Sequence, residues 1–270
     1  MRLSEARRIL SEAGVPDSDF DAREIFSELG GFSRLELTLS DVETDDARVI
    51  GAISRRASRE PLAYILGHAY FYRERYEVNE SCLVPRSDTE LLVDLAVKLL
   101  PEGARFADLC TGSGCVGISV LANTKNTSAI LADISESALA LASRNAESVG
   151  VLDRAELILA DVKAGAVSDK LYAVLSNPPY VKDGVYEGLD SEIFFEPKIA
   201  FVGGEDGMDF YRAITPIYRD VIDDGGFIAY EIGYDQGELI AAVARECGMS
   251  CEIIRDLSGN ERVALFKRIH

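Results

Sequence analysis

The chain has 270 residues, 47% of them apolar, which is enough for one large domain or two small ones with a sizeable core. Its net charge of −18 repels phosphate backbones and argues against broad nucleic-acid binding. No apolar run approaches the ~20 residues of a membrane span, and the first eight residues mix both charge signs without the apolar middle of a signal peptide, so a cytoplasmic protein with no membrane partner and no direct nucleic-acid partner is expected.

Four helices are predicted in the leading segment. Residues 4–13 carry Ile9 and Leu10 and stop at Gly14. Residues 18–29 carry Phe20, Ile25, Phe26 and Leu29 and close on Gly30-Gly31. Residues 44–58 carry Val49, Ile50 and Ile53, and a fourth helix runs from Pro61 through Tyr64, Ile65 and Leu66 to Gly67. Short amphipathic helices must bury their stripes against one another, so residues 1–69 are expected to form a small helical domain. The cluster Arg55-Arg56-Ala57-Ser58-Arg59 reads as a solvated helix face. Residues 1–75 hold 11 basic and 14 acidic side chains, against 17 and 32 in the rest, so this segment is expected to meet a different surface from the body.

Residues 70–86 alternate aromatics and charges and read as a β-hairpin linker. Ser87 or Asp88 is expected to cap a helix running to Leu100. From residue 87 to 270 strand and helix alternate. Strands are predicted at 104–109, 127–133, 155–160, 170–176, 225–232, 250–255 and 262–268, with later helices at 207–221 and 235–247. This pattern means a mostly parallel, Rossmann-like sheet covered on both faces, and the closeness of the last two strands allows an antiparallel edge strand.

Two stretches carry the chemistry. In the first, Phe106 to Gly117, the residues Gly112, Gly114 and Gly117 have the G-x-G-x-x-G spacing of a strand–loop–helix nucleotide site, and Asp133 ends the next strand about 20 residues later. A nicotinamide dehydrogenase shares that fingerprint. Asp108, just before the glycines, opposes a pyrophosphate but suits the cationic amino-acid part of S-adenosylmethionine. The expected cofactor contacts are Asp108, Cys110, Thr111, Gly112, Ser113 and Gly114 in the loop. Asp133 is expected at the ribose hydroxyls and Asp161 with Val162 at the adenine, while Asn177 lies nearby. Cys110 and Cys115 read as small packing residues.

In the second stretch, an apolar run from Leu171 to Ser176 stops at Asn177-Pro178-Pro179-Tyr180. Prolines cannot donate to a strand ladder, and each pushes its predecessor toward extended geometry. The chain therefore leaves the sheet in a stiff turn rich in carbonyl acceptors. Asn177 adds an amide and Tyr180 a flat face and a hydroxyl. Such a turn suits a planar group with two N–H donors, which makes Asn177, Pro178 and Tyr180 catalytic candidates and all four residues substrate-binding candidates. The five cysteines include no Cys-x-x-Cys, and the histidines are His68 and His270, so neither a metal site nor histidine catalysis is expected.

These stretches resemble the peptide chain release factor glutamine methyltransferases, a family of class I S-adenosylmethionine-dependent enzymes. The resemblance runs from Pro61-Leu62-Ala63-Tyr64-Ile65-Leu66-Gly67 and the span Phe71 to Val78 into Leu83-Val84-Pro85-Arg86 and Thr89-Glu90. It continues through Asp108 to Gly114, Asp133-Ile134-Ser135, Arg144-Asn145-Ala146 and the proline tetrapeptide. After that it includes Phe195-Glu196-Pro197, Gly203-Gly204-Glu205-Asp206-Gly207 and Glu231-Ile232-Gly233. Ser87-Asp88 stands where the family usually has Pro-Glu, and Cys110 where the loop usually has Gly. The resemblance implies a class I methyltransferase sheet and an N-terminal domain that helps dock a release factor. It also implies methyl transfer to the glutamine amide of that factor's Gly-Gly-Gln loop, with S-adenosylhomocysteine as product. A monomer is expected. A DNA adenine methyltransferase uses a similar tetrapeptide, but would want a basic groove and a target-reading domain.

Overall fold

A computed structural model describes residues 1–165, 167 and 170–269. The chain divides into two compact units. One comprises Met1–His68 with Asp190–Phe195, the other Ala69–Leu189 with Glu196–His270. His270 lies outside the described residues.

The first unit is helical: α1 (Leu3–Glu12), α2 (Ser18–Gly30), α3 (Arg34–Leu39), α4 (Ala47–Ala57) and α5 (Leu62–Leu66). Leu3, Leu10, Ile25, Phe26, Leu37, Val49 and Ile53 form its core. Two residues placed on apolar stripes by spacing face solvent instead, Phe20 at 57% exposure and Ile50 at 38%. Apolar spacing does not mark α3, although it carries a capping box: the Ser33 hydroxyl accepts from Glu36 N while Glu36 Oε2 accepts from Ser33 N.

The arginine cluster is a solvated face only in part: Arg55 and Ser58 are exposed, but Arg56 is not. Arg56 is 4% exposed. Its Nε donates to Asp21 Oδ2 at 2.6 Å, Nη1 to the Glu60 carbonyl at 2.9 Å and Nη2 to Glu192 Oε1 at 2.8 Å. Arg59 pairs with Asp190 at 2.7 Å. The carboxylate partners lie far away in sequence, where local pattern cannot see them.

The second unit begins one residue into a two-stranded hairpin, β1 (His68–Phe71) and β2 (Glu74–Glu77), which is followed by α6 (Glu90–Leu99). Neither Ser87 nor Asp88 caps α6. Both lie in a 3-10 turn, Ser87–Thr89, that precedes it, and Asp88 is paired with Arg262 at 3.0 Å. Then come β3 (Arg105–Leu109), α7 (Cys115–Asn123), β4 (Ser128–Asp133), α8 (Glu136–Val149), β5 (Ala155–Leu159), β6 (Leu171–Ser176) and α9 (Asp183–Tyr186). The chain ends with α10 (Asp209–Tyr218), β7 (Ile222–Glu231), α11 (Gly237–Glu246), β8 (Met249–Arg255) and β9 (Glu261–Arg268).

The seven-stranded sheet has the order β5-β4-β3-β6-β7-β9-β8. The first five strands are parallel, and β9 runs antiparallel to both neighbours. The antiparallel strand is thus one in from the edge, with β8 outside it, a refinement of the edge strand that sequence proximity allowed. Successive residues of β3 face opposite sides: Phe106 joins one core with α6 and α7, and Ala107 the other with α10 and α11. Both faces are covered, which is why these strands read as continuous apolar runs. The sheet reverses direction of progress between β3 and β6. A doubly wound sheet opens a crevice at the carboxyl ends of such strands.

Replacing Arg56 with Met leaves Asp21 buried without its partner. Burial already holds the Asp21 carboxyl above its ordinary pKa despite Arg56. We expect a loss of about 3 kcal/mol from the unit carrying it, read as a lower urea midpoint. A midpoint unchanged from the parent overturns the assignment of this pair to the core.

Candidate active site

A cavity of about 440 Å³ opens at this reversal point, within the range of small-ligand sites. Register explains why it forms there. Leu109 of β3 pairs with Ser176 of β6, and the buried Ser176 hydroxyl donates to the Leu109 carbonyl at 2.6 Å. The glycine loop and the proline tetrapeptide therefore leave the sheet side by side.

The loop is held in shape by carboxylates. Thr111 Oγ1 donates to Asp108 Oδ2 at 2.6 Å, and Gly117 N donates to the same oxygen at 2.9 Å. Gly112 N donates to Asp133 Oδ2 and Ser135 N to Asp133 Oδ1, both at 2.9 Å. Cys110, Gly112 and Gly114 all have positive φ, at 59°, 55° and 82°. Cys110 thus holds a left-handed conformation that normally favours glycine, at a cost of roughly 1–2 kcal/mol. At Gly117 a Cβ would sit 2.3 Å from Leu131 Cδ2 and 3.0 Å from Asp108 Oδ2, so at this point α7 approaches the sheet through a bare Cα.

Asp108 is 1% exposed. Burial pushes its carboxyl up to about 7, opposed by the Thr111 and Gly117 hydrogen bonds and assisted by the charge of Asp133. Burial also raises the thiols of Cys110 and Cys115, and takes Cys82 to about 12, so none of the three is a ready nucleophile.

Asn177 lines the cavity, and its Nδ2 donates to Thr89 Oγ1 at 3.2 Å. The turn behind it is clamped from several sides. Gln236 Nε2 donates to the Tyr180 carbonyl at 3.1 Å, and Gly203 N donates to the Val181 carbonyl at 2.9 Å. A Cβ on Gly203 would lie 2.4 Å from the Pro179 carbonyl, and one on Gly207 2.2 Å from the Tyr180 carbonyl. The glycines downstream of the tetrapeptide are therefore its backing. The Tyr180 hydroxyl donates to Glu231 Oε1 at 3.3 Å.

Of the residues singled out from sequence, Asp108, Cys110, Thr111, Gly112, Ser113, Asp133, Asp161, Val162, Asn177 and Pro179 line the cavity. Gly114, Pro178 and Tyr180 do not. Gly114 caps α7, and Tyr180 packs against the core beside β7. Asp161 also caps a short turn, accepting from Lys163 N at 2.9 Å. Sequence reasoning assigned no site role to Cys82, Arg86, Thr89, Ile134 or Phe210, which also line the cavity. Arg86 is ion-paired with the buried Glu196, whose other oxygen accepts from Val84 N at 2.8 Å. The Pro-Arg and Glu-Pro stretches, 110 residues apart, thus form one wall.

Both hydrogen bonds to Asp108 land on one oxygen, so Asp108→Asn can keep them while removing a buried charge. The folded pKa of about 7 lies above the ordinary value of 3.8. The native state then holds more protons between those values, and wild-type stability falls as pH rises through that window. We expect unliganded Asp108→Asn to melt on the order of 5 °C higher than wild type at pH 8, with a smaller gap at pH 5. A lower melting temperature at pH 8 overturns this account of the loop.

Comparison with known proteins agrees with this geometry. Residues 2–67 match the family model described as the PrmC N-terminal domain, and residues 87–196 that of the methyltransferase small domain. The release factor glutamine methyltransferase of Caulobacter vibrioides is 35% identical over 268 residues, covering 96% of this chain and 93% of that protein. The enzyme of the same name from Agrobacterium fabrum is 34% identical over 278 residues, covering 98% and 96%. A methyltransferase structure from Pyrococcus furiosus superposes with a TM-score of 0.54 at 19% identity, covering 72% of this chain and 89% of that one, a likeness of fold. A chain with a class I methyltransferase sheet, a glycine loop beside Asn-Pro-Pro-Tyr and such relatives over nearly its whole length belongs to the release factor glutamine methyltransferase family.

Proposed function

We propose that this chain transfers the methyl group of S-adenosylmethionine to the side-chain amide nitrogen of the glutamine in the Gly-Gly-Gln loop of a peptide chain release factor. The observation that carries the reading is Asn177: it lines the cavity beside the glycine loop, with its amide nitrogen committed to Thr89. Its Oδ1 is left as an acceptor for a planar NH2 group.

The cavity walls fit the cofactor. Glu80, Asp108, Asp133 and Asp161 bring four carboxylates to the lining, against the cations Arg86 and Lys163. A ligand with an ammonium and a sulfonium suits this donor set better than one with a pyrophosphate. Asp108 is assigned to the ammonium end, Asp133 to the ribose hydroxyls, and Asp161 with Val162 to the adenine. Cys110, Thr111, Gly112, Ser113 and Gly114 form the loop around it. When bound, S-adenosylmethionine supplies a methyl group on a cationic sulfur.

An amide nitrogen is a poor nucleophile because its lone pair is delocalised. Asn177 Oδ1 accepts a hydrogen bond from one N–H of the amide, and the carbonyl of the adjacent Pro178 is assigned the other, although Pro178 itself does not line the cavity; the pair aims the lone pair and favours positive charge developing on nitrogen. Pro179 stiffens the turn, and Tyr180 holds it from behind through Glu231. No strong base is required in advance, because an N-alkylated amide cation gives up its proton readily.

Asn177→Ala, assayed with radiolabelled S-adenosylmethionine and a release factor, is expected to lose at least ~100-fold in transfer. Near-normal transfer to the glutamine, with the product located by mass spectrometry, overturns the assignment.

A further inference from the structure

Six residues of the cavity lining, Glu80, Ser81, Cys82, Leu83, Pro85 and Arg86, follow β2 and form a wall beside the glycine loop. Asn145, on α8, joins the two. It is 1% exposed. Its Oδ1 accepts from Glu77 N at 2.7 Å, and its Nδ2 donates to the Glu77 carbonyl at 3.0 Å and to the Ser113 carbonyl at 2.9 Å. Glu77 is the last residue of β2, while Ser113 belongs to the loop and lines the cavity. The amide therefore grips one peptide by both its N–H and its C=O, and gives its second proton to the loop. A flipped amide would set its oxygen against two carbonyls, so the orientation is fixed. A Cβ on Gly114 would lie 3.1 Å from Ala142 Cβ, on the same face of α8 one turn before Asn145, so the helix comes close enough for so short a side chain to reach.

The neighbouring ties are weaker or go elsewhere. Arg144 pairs with the Glu77 carboxylate at 2.8 Å, but both side chains are about half exposed, where such a pair contributes little. The Tyr76 hydroxyl donates to the Cys115 carbonyl at 3.3 Å, which fastens β2 to α7 rather than to the loop. From this we infer that Asn145 is a positioning residue for cofactor binding, a buried amide that seats the wall of residues 80–86 against the glycine loop. Asn145 does not itself line the cavity and acts through Glu77 and Ser113. The inference rests on the cofactor reading above. Without the amide the wall is seated for only part of the time, and apparent affinity falls by that fraction. Cofactor at saturation restores the seated arrangement, so the rate of transfer is spared. The Arg144-Asn145-Ala146 stretch and the span Phe71 to Val78 thereby become two halves of one joint.

The test measures the dissociation constant for S-adenosylhomocysteine by calorimetry, and kcat at saturating S-adenosylmethionine, in full-length wild type, Asn145→Ala, Asn145→Asp and Arg144→Ala. Asn145→Ala is expected to bind ~10-fold more weakly, as for a wall seated one-tenth of the time, with kcat within about three-fold of wild type. Asn145→Asp keeps the acceptor but turns a carboxylate oxygen toward two carbonyls, and is expected to bind no better than Asn145→Ala. Arg144→Ala is expected to stay within about two-fold of wild type in affinity. Hydrogen exchange on the wild type needs no variant to fold: S-adenosylhomocysteine is expected to slow exchange in residues 79–86 together with 111–115. Three results each overturn the inference: wild-type affinity in Asn145→Ala or Asn145→Asp, a loss of kcat in Asn145→Ala at unchanged affinity, or protection of 111–115 that leaves 79–86 as they were. A wild type that binds no S-adenosylhomocysteine means the cofactor reading has failed, and the inference with it. A wild type that binds it alongside an equally tight Asn145→Ala means that only the joint has failed.

Discussion

One buried hydrogen bond, from the Ser176 hydroxyl to the Leu109 carbonyl, ties together the two strand ends on which everything else is mounted. A parallel sheet that grows outward in both directions from a central pair leaves a gap at that pair's carboxyl ends. Here the gap receives a glycine loop from β3 and a proline turn from β6. Neither segment can move far alone, because each is braced by neighbouring residues. Thr111 and Gly117 hold the loop to Asp108, and Gly203 and Gly207 press on the turn. The site is a product of sheet topology before it is a product of any one side chain.

Charge is distributed to match. The overall acidity of the chain makes phosphate-rich surfaces poor partners. The cavity lining shares that excess, with Glu80, Asp108, Asp133 and Asp161 against Arg86 and Lys163. Asp108 is the extreme case, a carboxylate that burial raises to about 7 and that two hydrogen bonds pull back. A group held so near neutrality in an apolar wall is costly to ionise and answers strongly to a cation brought beside it.

The departures from the family pattern spare the side chains assigned to the cofactor carboxylates and the acceptor turn. Cys110 occupies a left-handed position without being glycine. The neighbouring hydrogen bonds over-determine its conformation, which is how such strain persists at functional sites. Asp88, standing where the family usually has Glu, is engaged with Arg262 rather than capping α6. Both substitutions leave the acceptor at Asn177 and the carboxylates of the loop in place.

Much of this was legible in the sequence. Periodicity located every strand of the large sheet, because a strand buried on both faces is a short apolar run bounded by turn residues. Motif chemistry singled out ten residues of the cavity lining, since backbone approach requires glycine and a rigid acceptor turn requires proline. What only the tertiary structure decided is which distant residues meet. Arg56 reads as surface until Asp21 and Glu192 are seen around it. Arg86 and Glu196 are two unrelated stretches until they form one wall. Local sequence determines which groups are available and what backbone they prefer, and packing of the sheet and helices determines which of those groups meet.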